Sequence, residues 1–423
     1  MHPLTYIFLA SLAAHVAVQL WLARRQIAFV AARRAAVPEE FAGSVTSQEH
    51  SKAADYTVAK QRLGMLEVLF DATVVLWLTL GAGIARIGAL VGVLNVPPLL
   101  AGTLLVVSVF AIVALLSLPF GIYRTFSLEQ RFGFNRSTPG VYAADLAKGW
   151  ALGLVLGGGI TAGILWIMSA LGGSWWIAGW LAWTVFTLLL TWAWPRFIAP
   201  VFNRFTPLED QALRSRIDLL LQRCGFHAKG VFVMDGSRRT SHGNAYFTGL
   251  GREKRIVFFD TLLSRLAPQQ IESVLAHELA HFRLRHVPQR IAVGVLASLA
   301  GFALLGWLAR QAWFYSALGV PSGSDAAALV LFVLVGPTFT WLLTPAAAAW
   351  SRRHEFQADA FAASHSDGAA LAEALVALYR DNASTLTPDP IHSAFYDSHP
   401  PPATRIARLN SQRTATASAA ATS

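Results

Sequence analysis

One cysteine, Cys224, stands in 423 residues. That excludes an internal disulfide and any thiolate-rich metal site, so a metal here would need histidine and carboxylate ligands. Charge is scarce too. Charged residues make up 14% of the chain, 54% is hydrophobic and mean hydropathy is +0.47. Soluble domains carry roughly 25% charged residues, so the composition points to the bilayer. Acidic residues are the scarcer sign, which leaves a net charge of +10 and a pI near 10.2. The basic excess forms no single stripe and no nucleic-acid motif accompanies it, so nucleic acid is not the expected partner. Lys and Arg at the ends of membrane spans explain it better.

A span needs about 20 apolar residues. Seven windows fit: 4–23, 66–94, 96–123, 149–171, 175–194, 291–309 and 326–350. The second is the least clean, since it contains Glu67, Asp71 and Arg86. The first lacks a basic leading region and a cleavage site, and Arg24-Arg25 follows it, as suits a retained anchor. Between spans one and two lie Arg24, Arg25, Arg33, Arg34, Lys52, Lys60 and Arg62. Between three and four lie Arg124, Arg131, Arg136 and Lys148, whereas the opposite loops have only Arg86 and Arg310 at their edges. The positive-inside rule then predicts an external N-terminus. It also predicts that segments 195–290 and 351–423 face the cytoplasm.

Segment 195–290 reads as soluble structure. Leu213, Ile217, Leu220 and Leu221 share one side of an amphipathic helix over 209–223. "GVFVMDG", "HGNAYFTGL" and "RIVFFD" are short β-branched and aromatic runs between turn residues, which predicts a small sheet. Pro268 suits the first turn of a helix running on to His281. The tail after Leu409, "NSQRTATASAAATS", is low in complexity and expected to be disordered.

That last helix carries "SVLAHELAHFRLRH", which gathers three of the chain's 12 histidines. His277 and His281 are four apart and project from one face. The spacing can span two corners of a zinc tetrahedron, with Glu278 as general base, and composition alone would produce about 0.01 such matches. Three protein ligands leave a fourth position for water, so a third ligand must come from elsewhere. "SRRHEFQADAFA" offers the best candidates, with Glu355 and Asp359 four apart on a helix at the end of span seven. Glu355 is placed to complete the site, and Asp359 to accept a hydrogen bond from the far nitrogen of a ligating histidine. The competing reading is a solvated acidic face.

Together with these stretches, "DGSRRTSHGNAYFTG", "RIVFFDTLL", "SHPPPATRIARL", "RFGFNRSTPGVYAADLAKG" and "FNRFTPL" make the chain resemble the Ste24 family of CAAX prenyl proteases over nearly its whole length. The resemblance implies an α-helical integral membrane protein. Seven transmembrane helices would surround a water-filled chamber, with a small α/β zincin-like catalytic portion on the cytoplasmic side. Residues 1–205 would form a membrane domain of five spans, 206–412 a metallopeptidase domain with two further spans, and 413–423 a disordered tail. It implies one Zn2+ held by His277, His281 and Glu355, with Glu278 as catalytic base and Asp359 as the acid behind the ligands. Asn244 and Tyr246 would lie on the strand that holds an extended peptide, and His399 and Arg405 would reach back to stabilise the developing oxyanion. Arg405 has a competing reading as a helix-surface arginine. His242 and His354 receive no role, and His286 and His365 are expected to be surface or packing residues.

The implied substrate is a peptide or protein, lipidated or membrane-associated, and membrane lipid is the expected surroundings. The Ala- and Arg-rich sequence, without an extended insertion near span seven or an ER-retention signal, resembles bacterial members, which places it in an inner membrane. Two alternatives stand beside CAAX processing: membrane-protein quality control of the HtpX type, and a non-catalytic scaffold. Intact His277, Glu278, His281 and Glu355 argue against a scaffold.

Overall fold

The structure is a computed structural model and describes residues 2–226, 228–248, 255–321 and 323–421. Five helical runs are long and apolar enough to cross a bilayer: Pro3–Ala32, Pro98–Glu129, Pro139–Phe202, His286–Leu308 and Asp325–His365. The third has 64 residues. At 1.5 Å per residue it would stretch to roughly 100 Å, about three times the hydrocarbon core. It instead turns back at Gly172 (φ 54°), and Gly158–Leu171 packs against Trp175–Ala193. This run therefore crosses twice.

The remaining crossing is broken. Ser47–Leu78 and Gly83–Val93 meet at a bend of 54°, where the sequence predicts one continuous span over 66–94. The backbones approach too closely at the break for a side chain. A Cβ on Gly81 would lie 2.7 Å from the Trp77 carbonyl oxygen, and one on Gly83 2.8 Å from Leu78 Cα. The Val75 carbonyl accepts at the break from both the Thr79 N–H, at 3.0 Å, and the Thr79 hydroxyl, at 2.7 Å. With this bent pair, the described residues supply enough apolar helix for seven crossings.

Ser47–Leu78 also starts well before its apolar stretch, at a capping box formed by Thr46 and Glu49. Its polar first half reaches out of the bundle, where Tyr56 packs on Phe132 and Phe134. Within the bundle Val93, Val155 and Leu90 are more than two-thirds exposed. Such large apolar surfaces are tolerated where lipid or an internal chamber covers them, and not in water.

The catalytic portion has its own core. The helix Gln211–Arg223 buries Leu213, Ile217, Leu220 and Leu221, the face expected from periodicity. It packs with Ile256, Phe258, Leu275 and Leu371 into one cluster. Fully burying each such side chain contributes roughly 1.5–3 kcal/mol. The sheet comprises β1 (Phe205–Pro207), β2 (Gly230–Met234), β3 (Ala245–Thr248) and β4 (Arg255–Phe259), in the order β1-β2-β4-β3. β2 and β4 are parallel, and the outer pairs are antiparallel. β3 is therefore an edge strand. The final helix, Pro402–Ala421, runs through most of the segment for which low complexity predicts disorder. Its alanines are strong helix formers.

Candidate metal centre and active site

Two buried helices build the centre. Pro268–Arg283 starts with Pro at its first turn, and Gln270 Oε1 accepts from the Ala267 N–H at 3.0 Å. Its buried face of Ile271, Val274, Leu275 and Leu279 fixes its rotation, so His277 and His281 face inward. Thr344–His365 packs across it and presents Glu355 and Asp359, both buried. Glu355 Oε2 lies 3.3 Å from His277 Nε2, and Oε1 lies 3.5 Å from His281 Nε2. One ligand atom from each residue lies within 4.8 Å of the other two. A tetrahedral ion with bonds of about 2.0–2.1 Å would hold its ligand atoms about 3.3 Å apart. Glu355 Oε2 is also buried and faces the His277 and His399 imidazole nitrogens at 3.3 and 3.4 Å, without a well-formed hydrogen bond to either. A buried carboxylate oxygen is costly unless a cation meets it. The donor set therefore fits a divalent metal.

Asp359 supports the ligand His277. Its Oδ1 lies 2.9 Å from His277 Nδ1. Arg405 donates from Nη2 to the same oxygen at 2.6 Å and from Nε to Oδ2 at 2.8 Å. Arg405 is buried, so the helix-surface reading is set aside. Its two donors are engaged with Asp359, and its nearest approach to a ligand is 3.5 Å, to His277 Nδ1.

Electrostatics follow from this packing. Burial works against charging His277, but the Asp359 and Glu355 carboxylates prevail and raise it to about 9. Burial, reinforced by charged His277, drives His281 down to about 3. Burial raises the Glu278 carboxyl. It also lowers the His399 imidazole.

Glu278, His277, Asn244, His399 and Arg405 line one cavity of about 210 Å3. Leu262, Val274, Leu371, Leu375 and Leu378 form its apolar wall. His399 Nε2 is 3.4 Å from Glu355 Oε2, while its Nδ1 lies 3.1 Å from the Ser398 hydroxyl. Asn244 stands just before β3, with its carbonyl accepting from the Phe259 N–H at 3.0 Å. Tyr246 does not line the cavity. Its ring packs edge-on against Phe259 and its hydroxyl points to Met234 Sδ at 3.9 Å, so only its backbone stands on the edge strand.

Several site residues escaped sequence reasoning. Asn382 Oδ1 accepts from the Gly243 N–H at 3.2 Å and lies 3.1 Å from His242 Nδ1, which clamps the entry to β3. His242 stacks on Phe134, 4.4 Å between centroids. His286, expected on the surface or in packing, is buried, with Nδ1 3.1 Å from Nδ1 of His281. His354 stacks on it at 4.0 Å. His365 stacks on Phe361, as a packing residue would.

Comparison with known proteins gives the family. Residues 26–204 match the CAAX prenyl protease N-terminal family, described as five membrane helices, and residues 207–413 match peptidase family M48. The chain is 32% identical to the CAAX prenyl protease 1 homolog of Arabidopsis thaliana, over 89% of its own length and 91% of the relative's. It is 37% identical to CAAX prenyl protease 1 of Saccharomyces cerevisiae, over 70% and 69%. The crystal structure of S. mikatae Ste24p superposes with a TM-score of 0.89 at 28% identity, covering 97% of this chain and 99% of that one. With its membrane bundle, its histidine–glutamate centre and relatives of this similarity, the chain belongs to the CAAX prenyl protease 1 family of membrane-embedded M48 metallopeptidases.

Proposed function

We propose that the chain is a zinc endopeptidase that trims lipidated, membrane-associated peptides at their C-terminal ends, as the name CAAX prenyl protease implies for its relatives. One observation carries the reading: His277 of the ligand triad, the carboxyl base Glu278 and the start of the edge strand, Asn244 and Ala245, line a single cavity. A second cavity of about 760 Å3 among the membrane helices, walled by Phe110, Trp150, Leu154, Phe302 and Phe332, offers apolar room for a lipid.

His277, His281 and Glu355 would hold the zinc, which would supply a Lewis acid for the scissile carbonyl and the attacking water. A peptide adds as a strand beside β3, using backbone hydrogen bonds that do not demand particular side chains. Asn244 orients it at the mouth of the cavity. Glu278 takes a proton from the attacking water and returns it to the leaving amine. Its raised carboxyl suits the second task. If the Ser398 hydroxyl donates to His399 Nδ1, the imidazole proton sits on Nε2, aimed into the cavity at the developing oxyanion. Arg405 acts at one remove, by holding Asp359 against His277.

A farnesylated peptide ending in a CAAX tetrapeptide should be cleaved at least ten-fold faster, as kcat/KM, than the same peptide without its lipid. Equal rates for the two, with faster cleavage of an unfolded membrane protein, would favour quality control instead.

We place the protein in a bacterial inner membrane, from the likeness of its Ala- and Arg-rich sequence to bacterial members, and its active site toward the cytoplasm, on the strength of the Lys and Arg loops between spans one and two and between three and four. A reporter joined to the C-terminal end should read as cytoplasmic, and one in the turn at Gly172 as external. The reverse pattern would overturn the orientation.

A further inference from the structure

The two imidazoles facing Glu355 are held from behind in different ways. His277 rests its Nδ1 on the Asp359 carboxylate. Behind His281 stands another imidazole: Nδ1 of His286 lies 3.1 Å from Nδ1 of His281. On its far side, His286 Nε2 lies 2.9 Å from Gln357 Oε1. The backbone creates this contact. The helix bearing His281 ends at Arg283, and Arg285 adopts a left-handed conformation (φ 61°), so that His286 begins the next helix beside His281. The His286 ring is buried and stacks on His354, centroids 4.0 Å apart and planes within 5°.

Two facing ring nitrogens at this distance need one donor and one acceptor. His281 Nε2 faces Glu355 and the ligand position, so its proton sits on Nδ1 and is donated. His286 Nδ1 must then accept and carry its own proton on Nε2. That proton has an acceptor in the Gln357 amide oxygen. Each group fixes the tautomer of the next.

We propose that His286 is a positioning residue, holding His281 in the tautomer and orientation that present Nε2 to the metal. It does so as a neutral acceptor and adds no charge behind the ligand, unlike Asp359 behind His277. The proposal rests on the metal centre described above. Partners of this kind typically change metal affinity by 10–100-fold.

The test compares His286→Asn with His286→Leu in the full-length detergent-purified protein. Zinc affinity is measured by competition against a chromophoric chelator, and melting of the metal-free forms is recorded alongside. Asn places an amide oxygen where Nδ1 was, and both variants lose the stack on His354 and the contact with Gln357. The Leu variant should bind zinc about 10–100-fold more weakly, with the Asn variant within about three-fold of wild type. Equal losses in both would assign His286 to packing and overturn the proposal, as would unaltered affinity in both. Wild-type protein that binds no zinc would remove the metal centre itself. If His286→Leu does not fold, Gln357→Leu reads the same chain from its far end. Several-fold weaker zinc binding is expected there, and unaltered affinity would overturn the proposal.

Discussion

Glu278→Gln is expected to lower turnover by roughly 10²–10⁴-fold, the usual contribution of a positioned base, with zinc content unchanged. Gln keeps the shape and hydrogen-bonding reach of Glu but cannot accept and return a proton. The loss should fall on kcat rather than KM, because the interaction matters only as the water attacks. Glu278 lies outside the ligand triad of His277, His281 and Glu355, so the metal should stay. Turnover of a fluorogenic peptide and zinc content by mass spectrometry, on the same preparation, check both halves. A variant that kept more than a tenth of wild-type turnover would remove Glu278 from the mechanism.

Arg405→Met should be the most damaging change outside the ligands and the base. It leaves the buried Asp359 carboxylate without its two-pronged guanidinium partner. Removing one member of a buried ion pair typically costs 3–5 kcal/mol. Because Asp359 also steadies His277, zinc affinity should fall by about 10–100-fold as well. Arg405→Lys should restore little, since an ammonium cannot reproduce the fork that meets both carboxylate oxygens. Adding Asp359→Asn to Arg405→Met removes the stranded charge and should recover part of the stability, though not the zinc affinity. Thermal melting and chelator competition separate the two effects. Wild-type melting and affinity in Arg405→Met would contradict the clamp described here.

What could be read from the sequence was what depends on period. Four-residue spacing places His277 beside His281, and Glu355 one turn from Asp359, and apolar periodicity predicted the buried face of Gln211–Arg223. Partners that depend on where the backbone breaks were not legible. His286 is five residues from His281 and reaches it only because Arg285 turns left-handed between two helices. Hydropathy cannot register a bend, so the 54° break between Leu78 and Gly83 was hidden inside an apolar window, although Gly81 and Gly83 mark it. Asn382 carries no motif at all. Its role arises because the helix Gly368–Asp381 happens to end against Gly243. Arg405 was recognised by likeness to the Ste24 motif, but its grip on Asp359 required the fold.

Whether His277, His281 and Glu355 hold one catalytic zinc is decided by metal analysis coupled to a peptidase assay, on wild type and Glu355→Ala. Wild type should hold one zinc per chain, lose activity when stripped by a chelator and recover it on adding back stoichiometric zinc, while Glu355→Ala should bind little zinc and stay inactive at that concentration. Hydrolysis by fully stripped wild type, or full zinc occupancy in Glu355→Ala, would contradict a zinc held by these three residues.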